Sequence, residues 1–123
     1  MSAITRVGTV IVPVSDQDRA LEFYVGQLGF EKRLDAPFAE GRRWIEVAPP
    51  GAATTIALVQ APEGSEATIE VSLATRDAEA DHGVVKGAGV EADAELIRMG
   101  EGIPPMFTFR DPDGNRLRMV ERD

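Results

Sequence analysis

The chain has 123 residues, no cysteine and a formal net charge of −8. That length makes one compact domain, or two very small modules sharing a core, and buries roughly two-thirds of the unfolded surface, so no covalent staple is needed. The missing cysteines exclude disulfides, zinc fingers and thiol nucleophiles and fit a reducing cytoplasm, while the acidic balance argues against nucleic-acid or anionic-membrane partners.

The opening stretch, "MSAITRVGTVIVPV", has an apolar run too short to span a membrane and lacks the layout of a signal peptide. Within it "RVGTVIVPV" (6–14) reads as a strand, with Val10, Val12 and Val14 on one face and Thr9, Ile11 and Pro13 on the other. "SDQDRALEFYVGQLGF" (15–30) reads as a helix capped by Ser15 or Asp16 and stopped by Gly29. Within it Tyr24 is expected in the core or at an interface. "FEKRLD" (30–35) and "RRWIEVA" (42–48) are strands, "PPGAA" (49–53) is a turn, and "TTIALVQ" (54–60) is a fourth strand. "APEGSEA" (61–67) is a linker of small and polar residues.

The same order then returns. "TIEVSLAT" (68–75) is a strand, "RDAEADHGVVKGAGV" (76–90) a helix, and "EADAELIRM" (91–99) contains a strand. "PMFTFR" (105–110) and "RLRMVE" (116–121) are strands joined by the turn "DPDGN" (111–115), whose Asp111, Asp113, Gly114 and Asn115 are turn formers. The halves align: Asp16 lies over Asp77, Gly29 over Gly89, and "TTIALV" over "NRLRMV". We read an internal repeat of about 60 residues: module one about 1–61, module two about 68–123.

Two βαβββ modules predict an α+β fold of mainly antiparallel, curled half-barrel sheets with helices on the convex side. Val10, Val12, Val14, Ile56, Leu58, Ile69, Val71, Leu73, Leu117 and Met119 are then expected to face the helices. Thr9, Ile11, Ala57, Val59, Glu70, Ser72, Ala74, Arg118 and Val120 are expected on the concave side. Two such cups make a cleft suited to a small molecule, and their open edges invite a homodimer.

The segments "VSDQDRALEFYVGQLGF" (14–30) and "FTFRDPDGNRLRMVE" (107–121) resemble the vicinal oxygen chelate superfamily of glyoxalases, bleomycin-resistance proteins and extradiol dioxygenases. The resemblance covers essentially the whole chain and is specific for the fold, which hosts many chemistries. It implies a divalent metal held by His, Glu or Gln on the first and last strands of each module. The matching positions here are Thr9, Ala57, Glu70 and Arg118. Only Glu70 is a good ligand, and Arg118 puts a positive charge where a cation would sit. No metal and no other cofactor is therefore expected. The one histidine, His82, falls in the second helix on the convex side and is set aside as a ligand.

Glu70 and Arg118 are instead expected to form a partly buried salt bridge, or else both to reach solvent at the cleft mouth. Ligand-binding candidates are Thr9, Phe38, Trp44, Glu46, Ala57, Glu70, Ser72, Met99, Phe107 and Arg118. For Trp44 the core or a dimer interface, and for Phe107 with Phe109 the core, is an equal alternative. No nucleophile–base pair, phosphate-cradling loop or dinucleotide fingerprint is visible. The expected function is metal-independent binding of a small molecule, as in drug or metabolite sequestration. The alternatives are a glyoxalase-like lyase, isomerase or dioxygenase, with Glu70 as base and Arg118 stabilising an oxyanion, and a housekeeping or regulatory ligand-binding module.

Overall fold

The computed structural model describes residues 2–122. The chain divides into two compact units, Met1–Ser65 and Glu66–Asp123.

Unit one runs β1 (Thr9–Val14), α1 (Gln17–Leu21) with a π-helical continuation (Glu22–Gln27), β2 (Glu31–Pro37), β3 (Arg43–Ala48) and β4 (Thr55–Gln60). The sheet order is β1-β4-β3-β2, with β1 parallel to β4 and the other pairs antiparallel. β1 begins at Thr9 rather than at residue 6, because its partner β4 begins at Thr55, directly opposite. Asp16 caps α1, its carboxylate accepting the Arg19 N–H at 3.1 Å. The helix then widens by a residue per turn, the Leu28 N–H reaching the Phe23 carbonyl five residues back. Phe23 and Tyr24, adjacent in sequence, are both buried, their rings edge to face at 5.1 Å. Gly29 then reverses the chain at φ 78°, a left-handed conformation that costs a Cβ-bearing residue about 1–2 kcal/mol.

Alternation divides the sheet into two faces. Val12, Val14, Ile45, Val47, Ile56 and Leu58 share the helix face, and each is at most 5% exposed. Buried Gln17 docks α1 on this face by donating from Nε2 to the carbonyls of Arg43 and Leu58, both at 2.8 Å.

Unit two runs β5 (Glu70–Thr75), α2 (Ala78–Gly87), β6 (Met106–Arg110) and β7 (Arg116–Glu121), in sheet order β5-β7-β6, with β5 parallel to β7. Asp77 caps α2 as Asp16 caps α1, accepting the Ala80 N–H at 3.0 Å, and Gly89 repeats the turn at φ 79°.

The strand expected within 91–99 is reduced to two isolated bridges, Ala92 to Phe109 and Ile97 to Met106. Its ladder is broken by Asp93. The Asp93 carboxylate takes both the N–H and the hydroxyl of Thr108, at 2.8 and 2.9 Å. The Asp93 carbonyl, freed from the ladder, accepts from His82 Nε2 at 2.7 Å. Two extra residues then bulge out between the bridges. β2 has a milder form of the same irregularity, one extra residue between Lys32 and Leu34.

The "DPDGN" turn is held from inside. Asp111 Oδ1 accepts the N–H groups of Asp113 and Asn115, both at 2.9 Å. Asn115, 1% exposed, donates to Asp111 Oδ2 at 2.9 Å and accepts the Ile69 N–H at 3.0 Å. The turn thus ties the start of β7 to the residue preceding β5.

Candidate functional site

Each sheet has a second face, away from its helix. In unit one, register places Ile11, Ala57, Glu46 and Leu34 side by side in one row across the four strands, with Thr9 beside Thr55 and Trp44 beside Ala36 in the flanking rows. Four of these side chains form one hydrogen-bonded chain. Thr55 Oγ1 meets Thr9 Oγ1 at 2.8 Å and donates to Glu46 Oε1 at 2.8 Å, and Trp44 Nε1 donates to Glu46 Oε2 at 2.7 Å. A hydroxyl has one proton, and Thr55 donates it to Glu46, so Thr55 must accept from Thr9. The chain's polarity is therefore fixed, and Glu46 and Thr9 offer lone pairs to whatever approaches.

Around this carboxylate stand apolar groups that the fold leaves in solvent: Ile11 at 54% exposure, Phe38 at 47% and Leu34 at 44%. Phe38 and Trp44 pack edge to face at 5.7 Å, so the Phe38 loop is fixed over β3. Ala57 is fully buried. It lies beneath its row neighbours and forms floor, which corrects its reading as a ligand contact.

In unit two the rows are Glu70–Arg116–Arg110, Ser72–Arg118–Thr108 and Ala74–Val120–Met106. Arg118 grips Glu70 with one edge of its guanidinium, Nε to Oε2 at 3.1 Å and Nη2 to Oε1 at 3.4 Å, and Arg116 Nε approaches Glu70 Oε1 at 3.7 Å. The Glu70 and Arg118 side chains are 41% and 29% exposed, so the pair lies at the surface. The Arg118 hydrogen bonds hold the Glu70 carboxyl below the usual carboxylate range, opposed by burial and helped by the smaller effects of the Arg118 and Arg116 charges. A carboxylate so held is a poorer proton acceptor. Val120, on this same face, is buried.

Phe107 and Phe109 lie on the opposite, helix-packed face. Both are buried, and the Phe107 ring meets the His82 ring at 4.9 Å. This corrects the reading of Phe107 as a ligand contact: its neighbours in register are Met119 and, through β7, the apolar positions of β5. Met99 is 64% exposed, on the connection between the Ile97 bridge and β6. Reading by residue type missed Thr55, Leu34, Arg116 and Thr108. Alternation could have found Thr55 and Arg116, since each stands two residues before a position already placed on that face.

The side chains at the four family metal positions do not fit an ion. Thr9 is engaged with Thr55, Ala57 has no donor atom, and both Glu70 oxygens are covered by Arg118. Among the described residues no three His, Cys, Asp or Glu side chains are grouped to hold a metal, and no helix is long and apolar enough to cross a membrane.

Residues 6–119 match the family model described as the Glyoxalase/Bleomycin resistance protein/Dioxygenase superfamily. TnmS3, an antibiotic binding protein from Streptomyces sp. CB03234, is 34% identical over the whole of both chains, with a TM-score of 0.86. A superfamily member from Sphaerobacter thermophilus DSM 20745 is 35% identical over 97% of this chain and 98% of its own, with a TM-score of 0.87. The Bacillus subtilis (strain 168) protein YetH is 33% identical over 96% of this chain and 99% of its own. With its α+β architecture of two curled mixed sheets, the chain belongs to the glyoxalase/bleomycin resistance protein/dioxygenase superfamily.

Proposed function

We propose that the protein is a metal-independent small-molecule binder that holds an aromatic compound on the helix-free face of unit one. The observation that carries this reading is the hydrogen-bonded chain Thr9–Thr55–Glu46–Trp44 beneath exposed Phe38, Ile11 and Leu34. A polar chain fixed in this way positions Trp44 and Glu46 before any ligand arrives, which reduces the ordering cost of binding. The exposed apolar groups supply surface worth roughly 25 cal/mol per Å² when covered. The antibiotic binding described for TnmS3 supports a small-molecule ligand, and drug or metabolite sequestration is the role we infer. A second copy of the chain is the protein partner we infer, from the sheet edges left by β2 and β5; light scattering at micromolar concentration checks it.

Trp44 is the only tryptophan, so its fluorescence reports on the site directly. Titration with planar aromatic compounds, such as acridine and anthraquinone dyes, should give saturable quenching unchanged by chelator or by added zinc, nickel, manganese or iron. Phe38→Ala should weaken it about tenfold, as for an aromatic anchor worth 1–2 kcal/mol. Quenching that appears only with a metal would overturn the reading.

A further inference from the structure

The helix-free face of unit two crowds three arginines into two adjacent rows of a chain whose net charge is −8. Arg110 and Arg116 stand directly opposite each other across β6 and β7, an arrangement that costs stability in a sheet. Each is only partly offset, Arg110 by Glu91 at 2.8 Å and Arg116 by Glu70 at 3.7 Å.

Arg118 is the least exposed of the three, its side chain 29% exposed against 44% for Arg110 and 46% for Arg116. A guanidinium has two donor edges that can each meet a carboxylate. The Nε/Nη2 edge of Arg118 is spent on Glu70. At its other end, among the described residues, Nη1 meets only the thioether sulfur of Met106, at 3.5 Å. A thioether is a weak acceptor, so exchanging it for a charged oxygen is favourable. Next to Arg118 in the same row is Ser72, exposed and with no hydrogen-bond partner among the described residues. On the other side Thr108 has donated its proton to Asp93. The row therefore offers a planar pair of N–H donors and a free hydroxyl, with a second positive charge one row away.

We propose that this face is an anion subsite, in which Arg118 and Ser72, backed by the charge of Arg116, take the carboxylate of a small organic acid, with Glu70 acting as the positioning residue for the guanidinium. The inference rests on the small-molecule reading above and adds a ligand class, a carboxylate, taken on unit two. A carboxylate fits because the donors are coplanar and paired, and two parallel N–H···O bonds discriminate sharply against the neutral amide of the same shape.

The test is a titration of protein labelled with ¹⁵N at arginine and along the backbone, with benzoate, benzamide and benzylammonium as probes. Benzoate should produce saturable shifts at the Arg118 and Arg116 side-chain N–H groups and at the amides of residues 72, 108 and 118. Its affinity should fall at least tenfold in Arg118→Gln and about threefold in Ser72→Ala, and should weaken with added salt. Met106→Leu should leave it unchanged or tighter, and Arg116→Gln should weaken binding while raising thermal stability, two results that a purely structural arginine cluster would not give. Equal shifts with benzamide, or benzoate shifts spread evenly over all arginines and indifferent to Arg118→Gln, would overturn the subsite. If benzamide or benzylammonium quenches Trp44 while benzoate leaves Arg118 unmoved, the subsite fails and the binding reading stands. Benzoate binding at Arg118 with no aromatic probe acting at Trp44 would sustain the subsite and sink the reading of unit one.

Discussion

Thr55→Val tests whether the chain on unit one exists as drawn. Valine keeps the shape and β-branching of threonine at a position 9% exposed, so packing and strand preference change little, and the hydroxyl alone is lost. Two hydrogen bonds go with it, one to the Glu46 carboxylate and one from Thr9, both 2.8 Å. A bond to a charged acceptor is worth about 1.5–3 kcal/mol net and a neutral one about 0.5–1.5. Thr9 is exposed and Glu46 half-buried, so water recovers part of both, and a net loss of ~1–2 kcal/mol remains. For a chain of this size that lowers Tm by about 4–8 °C. Glu46→Gln should do less. Its amide can keep the oxygen on Trp44 Nε1 and turn its NH₂ to Thr55, whose hydroxyl then reverses and donates to Thr9, so every group stays paired. Urea unfolding followed by Trp44 fluorescence reads both variants. If Glu46→Gln is the more damaging and Thr55→Val is silent, the hydrogen-bonded chain is wrong.

Three further outcomes follow from the geometry. The carboxyls of Asp35 and Glu70 are held low, first by hydrogen bonds from Arg43 and Arg118 respectively; a carboxyl depressed in the folded state stabilises above its unfolded pKa and loses that contribution as pH falls through the folded value. Stability should therefore hold from neutrality to about pH 4 and drop below it, with the drop shallower in Arg43→Met and Arg118→Gln, as seen in acid titrations by circular dichroism. Asn115→Ala removes a buried side chain that pairs with Asp111 and with the Ile69 N–H, and should cost about 2–4 kcal/mol in urea unfolding. Gly29→Ala and Gly89→Ala, both at φ near 80° with no neighbouring atom close to the added Cβ, should each cost about 1 kcal/mol from backbone strain alone.

The element order was legible because strand alternation, two Asp caps and two stopping glycines are local signals that tertiary packing here did not override. The missing strand at 91–99 was not, because what breaks it lies outside the segment's own pattern: the Asp93 side chain competes with its own backbone for Thr108, and His82 from the preceding helix meets the carbonyl. Phe107 was ambiguous for a different reason. Period-two alternation says which residues share a face, and only the packing of α2 says which face is inside. The Arg118–Glu70 pairing could be foreseen, since both positions map to one face; its second edge, resting on Met106, depends on rotamers that no sequence pattern encodes.

The two units also show where the repeat was free to change. Register pairs Thr9 with Thr55 and Ile11 with Ala57 in unit one, and 61 residues on it pairs Glu70 with Arg116 and Ser72 with Arg118. On the helix face the same offset carries Val10 to Val71, Val12 to Leu73, Ile56 to Leu117 and Leu58 to Met119, apolar to apolar, with Val14 to Thr75 at the strand ends as the exception. Packing against a helix penalises a charge at those positions by several kcal/mol, so they stay alike. The helix-free positions in these rows are less restrained, and there unit one is neutral where unit two carries Glu70, Arg116 and Arg118. Divergence concentrated on the unpacked face is the pattern expected when the fold is held constant and the surface is shaped by what it binds. On that argument a chain carrying the unit-one residues at all four charged or polar positions (Glu70→Thr, Ser72→Ile, Arg116→Thr, Arg118→Ala) should fold with near-native stability and lose the response to benzoate. Failure of that variant to fold would mean that the charged set holds unit two together, and that the argument from divergence is mistaken.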